Sequence, residues 1–243
     1  MAKFNKWLGG GLGWAFLGPL GGLLGFALGA MLDGSDNNPA FQGQRSSGPT
    51  TKGDFLSSLI VLIAAVMKSD GRVLKSELDF VKQYFVQSFG QEAAAEALQV
   101  LKKVLDQNIP VEGISRQVGQ YMDYSTRLQL IHLLFGISKA DGLVSDEEQK
   151  TVERISYYMG IKTEDFNSIR ALYSDNLASA YEALEINSSA TDDEVKKAYR
   201  KMAVTYHPDK VAYLGEDIKN KANENFQKLN EAYEKIKKSR GMN

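Results

Sequence analysis

The 243-residue chain has no cysteine, which excludes a disulfide framework, thiolate metal ligands and a cysteine nucleophile. It has two histidines, His132 and His207, too few for a multi-histidine metal site. It has no surplus of either charge: 29 Lys and Arg face 30 Asp and Glu, for a formal net charge of −1. A dedicated nucleic-acid binder draws its affinity from excess cations, so nucleic acid is not an expected partner. No alternating apolar–polar run of useful length is present, and the expected fold class is all-α. A Gly-rich phosphate loop and a Ser nucleophile motif are also missing, so neither an enzyme nor a bound cofactor is expected.

Charge is absent from residues 7–32, a run of 26 positions. As a helix this run would cover roughly 39 Å, more than the hydrocarbon core of a bilayer. No polar stripe marks it as a soluble helix, and its length, Pro19 and the glycines argue against a signal peptide. We read residues 1–32 as a transmembrane segment in a lipid membrane. Gly21, Gly25 and Gly29 repeat every four residues, as do Gly18 and Gly22. That spacing makes a flat face where a second helix can approach, so a homodimer through this face is one reading. The other is a weak, tilted span kinked at Pro19. Lys3 and Lys6 before the span favour an N-terminus in the cytoplasm, but Arg45 and Lys52 offset them.

Residues 33–53 are rich in Gly, Ser, Asn, Pro and Thr and read as a flexible tether with a reach of roughly 25 Å. Residues 54–175 carry helical signals throughout. The stretch 55–67 is apolar nearly all round but too short to span a bilayer, which fits a buried core helix. Ser76 is the expected cap of a helix carrying Phe80, Val81, Tyr84, Phe85 and Phe89. The alanine-rich run 92–105 has high helix propensity, and Pro110 breaks the chain. Ser125 is the expected start of a helix with Leu128, Ile131, Leu134 and Phe135 inward. Ser145-Asp146-Glu147-Glu148 is a capping box, Gly160 fits a C-terminal cap, and Thr163 opens a last short helix.

This region contains an internal echo. Lys68-Ser69-Asp70-Gly71-Arg72-Val73 aligns with Lys139-Ala140-Asp141-Gly142-Leu143-Val144, and the same offset pairs Glu77 with Glu148. Two such halves predict a pseudo-symmetric bundle. The paired acidic helix–turn–helix units resemble the TerB-like domain named for tellurite resistance. Asp70, Glu77, Asp141 and Glu148 are a set that suits a hard cation. Each acid also has a local role, since Asp-Gly makes turns and Glu148 completes a cap, and the spacing is not that of an EF-hand. His132 lies in an apolar stretch and reads as a core histidine with a hydrogen-bonded ring.

Residues 178–243 carry the sharpest pattern. Thr191-Asp192-Asp193-Glu194 is a capping box opening a helix to about Tyr206, with Val195, Tyr199, Met202 and Tyr206 on one face. Lys196 and Arg200 lie together on the exposed side, as do Lys197 and Lys201. Pro208 ends the helix at His207-Pro208-Asp209, followed by Lys210. A second long helix carries Ile218, Ala222, Phe226, Leu229, Tyr233 and Ile236 on one face.

Ala180-Tyr181-Glu182-Ala183-Leu184, the Val195-to-Lys201 run, His207-Pro208-Asp209-Lys210 and Asn230-Glu231-Ala232-Tyr233 together resemble a J domain of the DnaJ kind. Glu185 departs from the pattern, since a glycine is common there. The whole order of glycine-rich span, TerB-like bundle and J domain resembles the DjlA type of membrane-anchored co-chaperone. The resemblance implies docking on a DnaK-type chaperone ATPase. The basic residues Lys196, Lys197, Arg200, Lys201 and Lys210 would meet an acidic patch, and His207, Pro208 and Asp209 would promote the partner's ATP hydrolysis, in protein folding or envelope stress. It also implies a single-pass protein of the inner, or cytoplasmic, membrane, with a short N-terminus outside and both domains in the cytoplasm. A rival reading gives the work to the TerB-like domain, as a tellurite-resistance-like, metal- or stress-responsive membrane protein.

Overall fold

A run of apolar side chains with no polar stripe folds stably only if other elements surround it. In the computed structural model, which describes residues 52–140, 142 and 144–242, that run is helix α1 (Lys52–Met67). Residues 59–67 are each at most 6% exposed. Around α1 pack α2 (Lys75–Leu105), α3 (Val111–Tyr121), α4 (Tyr124–Ser138) and α5 (Asp146–Tyr158). The chain continues through α6 (Thr163–Ala171), α7 (Leu177–Ala183), α8 (Asp192–Thr205), a 3₁₀ segment (Pro208–Leu214) and α9 (Glu216–Arg240). No strand occurs among the described residues, and the fold is all-α. None of the described helices is long and apolar enough to cross a membrane. The glycine face of Gly18, Gly21, Gly22, Gly25 and Gly29 and the tether up to residue 51 lie outside the described residues. Lys52 and Gly53, read from sequence as the end of the tether, belong to the first turn of α1.

The helix ends follow local chemistry. Ser145 accepts from Glu148 N at 3.2 Å while Glu148 accepts from Ser145 N at 2.8 Å, a reciprocal capping box. Gly160, at φ +69°, lets Ile161 N reach Ser156 O and closes α5 with a left-handed turn. Two expected starts are corrected. Helix α2 begins before Ser76: Leu74 is its cap position, and Glu77 supplies the acceptor for Leu74 N at 2.7 Å. Helix α4 begins one residue before Ser125, because Asp123 accepts from Thr126 N at 3.0 Å. Within α2, Gly90 at φ +81° breaks the helical geometry, so the aromatic and alanine-rich halves are separate helical segments joined at a kink.

The two echoed units are α1–turn–α2 and α4–turn–α5. Gly71 and Gly142 both take positive φ, at +79° and +94°. Asp70 accepts from Arg72 N at 2.9 Å, the turn-making role of an Asp before Gly. Asp141 lies outside the described residues. Glu77 and Glu148, each reaching back over the first turn of its helix, are buried at 4% and 8% exposure and are hydrogen-bond neighbours. Burial, followed by the neighbouring Glu148 and then Asp70, pushes Glu77 up to about 7, against the pull of the Leu74 N–H. A folded-state pKa above the unfolded value means that the folded chain keeps a proton which the unfolded chain has lost. Stability therefore falls as pH rises from about 4.5 to about 7 and levels off above that. In urea titrations at a series of pH values, Glu77→Gln should flatten this part of the profile. A profile unchanged by the substitution would remove buried Glu77 as its source.

Candidate functional site

The tripeptide His207-Pro208-Asp209 sits where α8 ends. Thr191 caps the start of α8, accepting from Glu194 N at 3.3 Å while Glu194 accepts from Thr191 N at 2.7 Å. Val195, Met202 and Tyr206 are buried at 0, 1 and 3% exposure. Tyr199 is half-buried, stacks on Tyr233 of α9 at 4.2 Å and donates from its hydroxyl to Asn230 Oδ1 at 2.8 Å. Pro208 has no N–H to continue the ladder, and the backbone at His207 turns to φ −61°, ψ 128°. The chain then enters the 3₁₀ segment, which sequence periodicity did not anticipate.

Local contacts set the geometry of the tripeptide. His207 Nδ1 accepts from Asp209 N at 3.3 Å, so the proton of the neutral ring lies on Nε2. Asp209 Oδ2 stands 3.6 Å from His207 Nδ1, and Asp209 Oδ1 stands 3.6 Å from Lys219 Nζ. The His207 ring meets Phe226 edge-on at 6.0 Å. The His207 and Asp209 side chains remain 50% and 67% exposed, while Pro208 is buried. Lys219 and Phe226 hold the tripeptide from α9, and the sequence reading did not assign them that role. No spacing rule would have found them, because they are 12 and 19 residues downstream of His207.

Along α8, Lys197, Arg200 and Lys201 are exposed and Lys196 is half-buried; Lys210 is exposed in the 3₁₀ segment. Lys201 pairs with Glu185 at 2.5 Å, so part of its charge is directed toward the end of α7. At the far end of α9, Arg240 donates to Tyr181 Oη at 2.6 Å, Ala190 O at 2.5 Å and Ser188 O at 2.6 Å. This clamp ties α9 to α7 and to the loop before α8, and it was likewise not legible from spacing.

The unit from α7 to α9 is docked on the bundle. Tyr206 meets His132 edge-on at 5.6 Å and donates to Asp165 Oδ1 at 3.4 Å. Tyr213 donates to the α4 cap residue Asp123 and lies 2.9 Å from Thr126 Oγ1. Asn225 Nδ2 donates to Gln129 Oε1 at 2.9 Å, and Ser168 Oγ donates to Ala183 O at 2.6 Å. His132 is buried at 1% exposure, as read, but the expected hydrogen bonds of its ring are not found among the described residues. No group of three or more His, Cys, Asp or Glu among the described residues is arranged to hold a metal.

Comparison with known proteins matches these parts in order. The family model "Co-chaperone DjlA transmembrane domain" covers residues 1–47, "Tellurite resistance protein TerB" covers 57–171, and "DnaJ domain" covers 179–240. In this order the three domains match the DjlA type of J-domain co-chaperone, to which the chain is similar along its whole length. It is similar to "Co-chaperone protein DjlA" of Coxiella burnetii, 25% identical over 269 aligned positions that span 100% of both chains. "Co-chaperone protein DjlA" of Photobacterium profundum is 26% identical, with 98% of this chain and 99% of that protein aligned. Over the J domain alone, "Chaperone protein DnaJ" of Fusobacterium nucleatum subsp. nucleatum is 50% identical across 54 residues, 22% of this chain and 14% of that one. No solved structure matches the chain. The matches support a membrane-anchored J-domain co-chaperone.

The departure at Glu185 has a measurable cost. Glu185 N donates to Glu182 O at 2.9 Å and Ile186 N donates to Tyr181 O at 3.1 Å, a left-handed end to α7 with Glu185 at φ +56°. A residue with a Cβ is disfavoured there. Glu185→Gly and Glu185→Ala both remove the exposed pair with Lys201, so comparing them isolates the backbone term. The glycine variant should be the more stable by about 1 kcal/mol in denaturant unfolding. Equal midpoints would show that the turn is unstrained.

Proposed function

We propose that the J domain docks on a DnaK-type chaperone and stimulates its ATP hydrolysis, while the chain itself catalyses nothing. The observation that carries this reading is the orientation of the J domain. The bundle contacts Tyr206, Tyr213 and Asn225, yet His207, Asp209 and the charged ends of Lys197, Arg200 and Lys201 face solvent. An acidic partner surface can therefore reach the tripeptide and the basic stripe together. Lys196, Lys197, Arg200, Lys201 and Lys210 steer the encounter and fix its register. His207 offers an outward Nε2–H, Asp209 a carboxylate for a guanidinium, and the restricted Pro208 backbone lowers the ordering cost of binding.

The two classes of residue predict different kinetics. His207→Gln leaves the fold within about 0.5 kcal/mol, as for most surface sites. In single-turnover ATP hydrolysis with a DnaK-type partner, it should fail to stimulate even at saturating concentration. Charge reversal at Lys197 and Arg200 should weaken docking in a salt-dependent way and recover as concentration rises. Stimulation by the His207 variant equal to that of the parent would overturn the assignment. Hydrolysis by the chain without its partner would overturn the statement that it is no enzyme.

This reading puts the TerB-like and J domains in the cytoplasm, where ATP and the partner are, below a single span of the inner membrane. It also pairs two spans through Gly18, Gly21, Gly22, Gly25 and Gly29, whose spacing permits close backbone approach. Gly25→Leu should push such spans apart. Cross-linking of full-length protein in membranes should then fall sharply while the melting of the cytoplasmic domains stays the same. Undiminished cross-linking would remove the glycine face as a dimer seam.

A further inference from the structure

The docked domains border an open-mouthed cavity of about 450 Å³ between α2, α4, the segment after α6 and α9, within the size range of small-molecule sites. Its walls have two characters. Phe80, Tyr84, Leu133 and Leu172 form an apolar side. Gln129, His132 and Lys139 from the bundle, with Asn225 and Lys228 from α9, form a polar side contributed by both domains.

Two observations at the polar side point to an anion, and His132 lies beside them. His132 is 1% exposed, lines the cavity, and has both ring nitrogens without a hydrogen-bond partner among the described residues. Each ring nitrogen has less than 1 Å² of accessible surface, so the ring backs the cavity wall and reports on what fills it without bonding to it. Lys139 and Lys228 converge on Tyr173: Lys139 Nζ donates to its carbonyl, and Lys228 Nζ lies 3.8 Å from its ring centre. The remaining charges on the cavity wall cancel, because Lys221 and Glu224 pair at 2.9 Å. Two ammonium groups therefore face the cavity with no carboxylate within salt-bridge distance among the described residues. Burial and then Lys139 hold Lys228 down at about 8, and burial and then Lys228 hold His132 down at about 3. In both, burial is the larger cause and a neighbouring ammonium the second, with Glu224 and Glu231 pulling Lys228 the other way.

We infer that this interdomain cavity is a binding site for a small organic anion, a carboxylate on an apolar body, with Lys139 and Lys228 on the carboxylate, Phe80, Tyr84 and Leu172 around the body, and His132 behind the wall. Because Lys139 and Lys228 come from different domains, the same ligand bridges them.

The two-histidine composition makes the test clean. Full-length protein in lipid nanodiscs, ¹⁵N-labelled at histidine, is titrated with 4-fluorobenzoate. Its ¹⁹F signal reports binding, and the two imidazoles report location. The expected result is a saturable shift of His132 with His207 unmoved. Affinity should fall at least about tenfold for Lys228→Met, for Lys139→Met, and for the neutral probe 4-fluorobenzamide. Inorganic phosphate, which lacks the apolar body, should compete weakly. No saturable movement of His132, or equal binding of the amide, overturns the site. If one lysine variant fails to fold, the other variant and the benzoate-to-benzamide ratio in the parent decide. None of these measurements involves a chaperone, so their failure is distinct from failure of the docking reading.

Discussion

Tyr206 is the residue on which the arrangement of the molecule turns. It is the C-cap residue of α8, and burying it requires a surface beyond the small J domain. The bundle supplies that surface through the edge of His132 and the carboxylate of Asp165. Asp165 is itself held by Tyr124, whose hydroxyl donates to it at 2.5 Å. Two tyrosines from different domains thus share one buried carboxylate. The next residue, His207, emerges on the opposite side because Pro208 ends the helix there. Burial of one side chain and exposure of its neighbour come from the same helix end.

That arrangement depends on the bundle being rigid where it is touched, and α1 provides the rigidity. A helix that is apolar all round removes more area from water than an amphipathic one, and α2, α3, α4 and α5 all pack on it. Gly119 shows how tightly the outer helices close: a Cβ there would lie 2.8 Å from Met159 O, so α3 and α5 approach through backbone. Helix α4 links this core to the J domain. One face carries Leu128, Ile131, Leu134 and Phe135 inward, and its first turns present Asp123, Thr126, Gln129 and His132 to the docked unit.

The elements were legible in the sequence where local chemistry determines them. The capping boxes at Ser145 and Thr191, the glycine end of α5 and the apolar faces of α4, α8 and α9 each follow from residues within one or two turns. The misplaced starts share a cause. Ser76 and Ser125 are good caps by residue type, but Glu77 and Asp123 supply acceptors that set the helix one or two residues earlier. The echo at Asp70-Gly71 and Asp141-Gly142 identified two similar units without revealing that Glu77 and Glu148 would meet. For the site, the motif located His207, Pro208 and Asp209, but not Lys219, Phe226, Tyr213 or the Arg240 clamp. Those roles depend on how elements cross in space, and no periodicity encodes a crossing.

The domain interface explains why a near-neutral chain can carry a concentrated basic face. Lys201 and Lys219 are committed to Glu185 and Asp209, and Lys235 to Asp175, so much of the cationic charge of α8 and α9 is spent on orientation within the chain. Other cations stand in two different settings: the outer stripe of α8, open to a macromolecule, and the Lys139–Lys228 side of the interdomain cavity. The two populations differ in the physics that governs them. Charges on the outer stripe are screened within about 8 Å at physiological salt, so they act mainly on encounter. At the cavity wall, half-buried Lys228 beside buried His132 is screened less and acts on occupancy. The packing of Tyr206 and Tyr213 on α4 separates these surfaces, because the face of the J domain that meets the bundle is the one that borders the cavity.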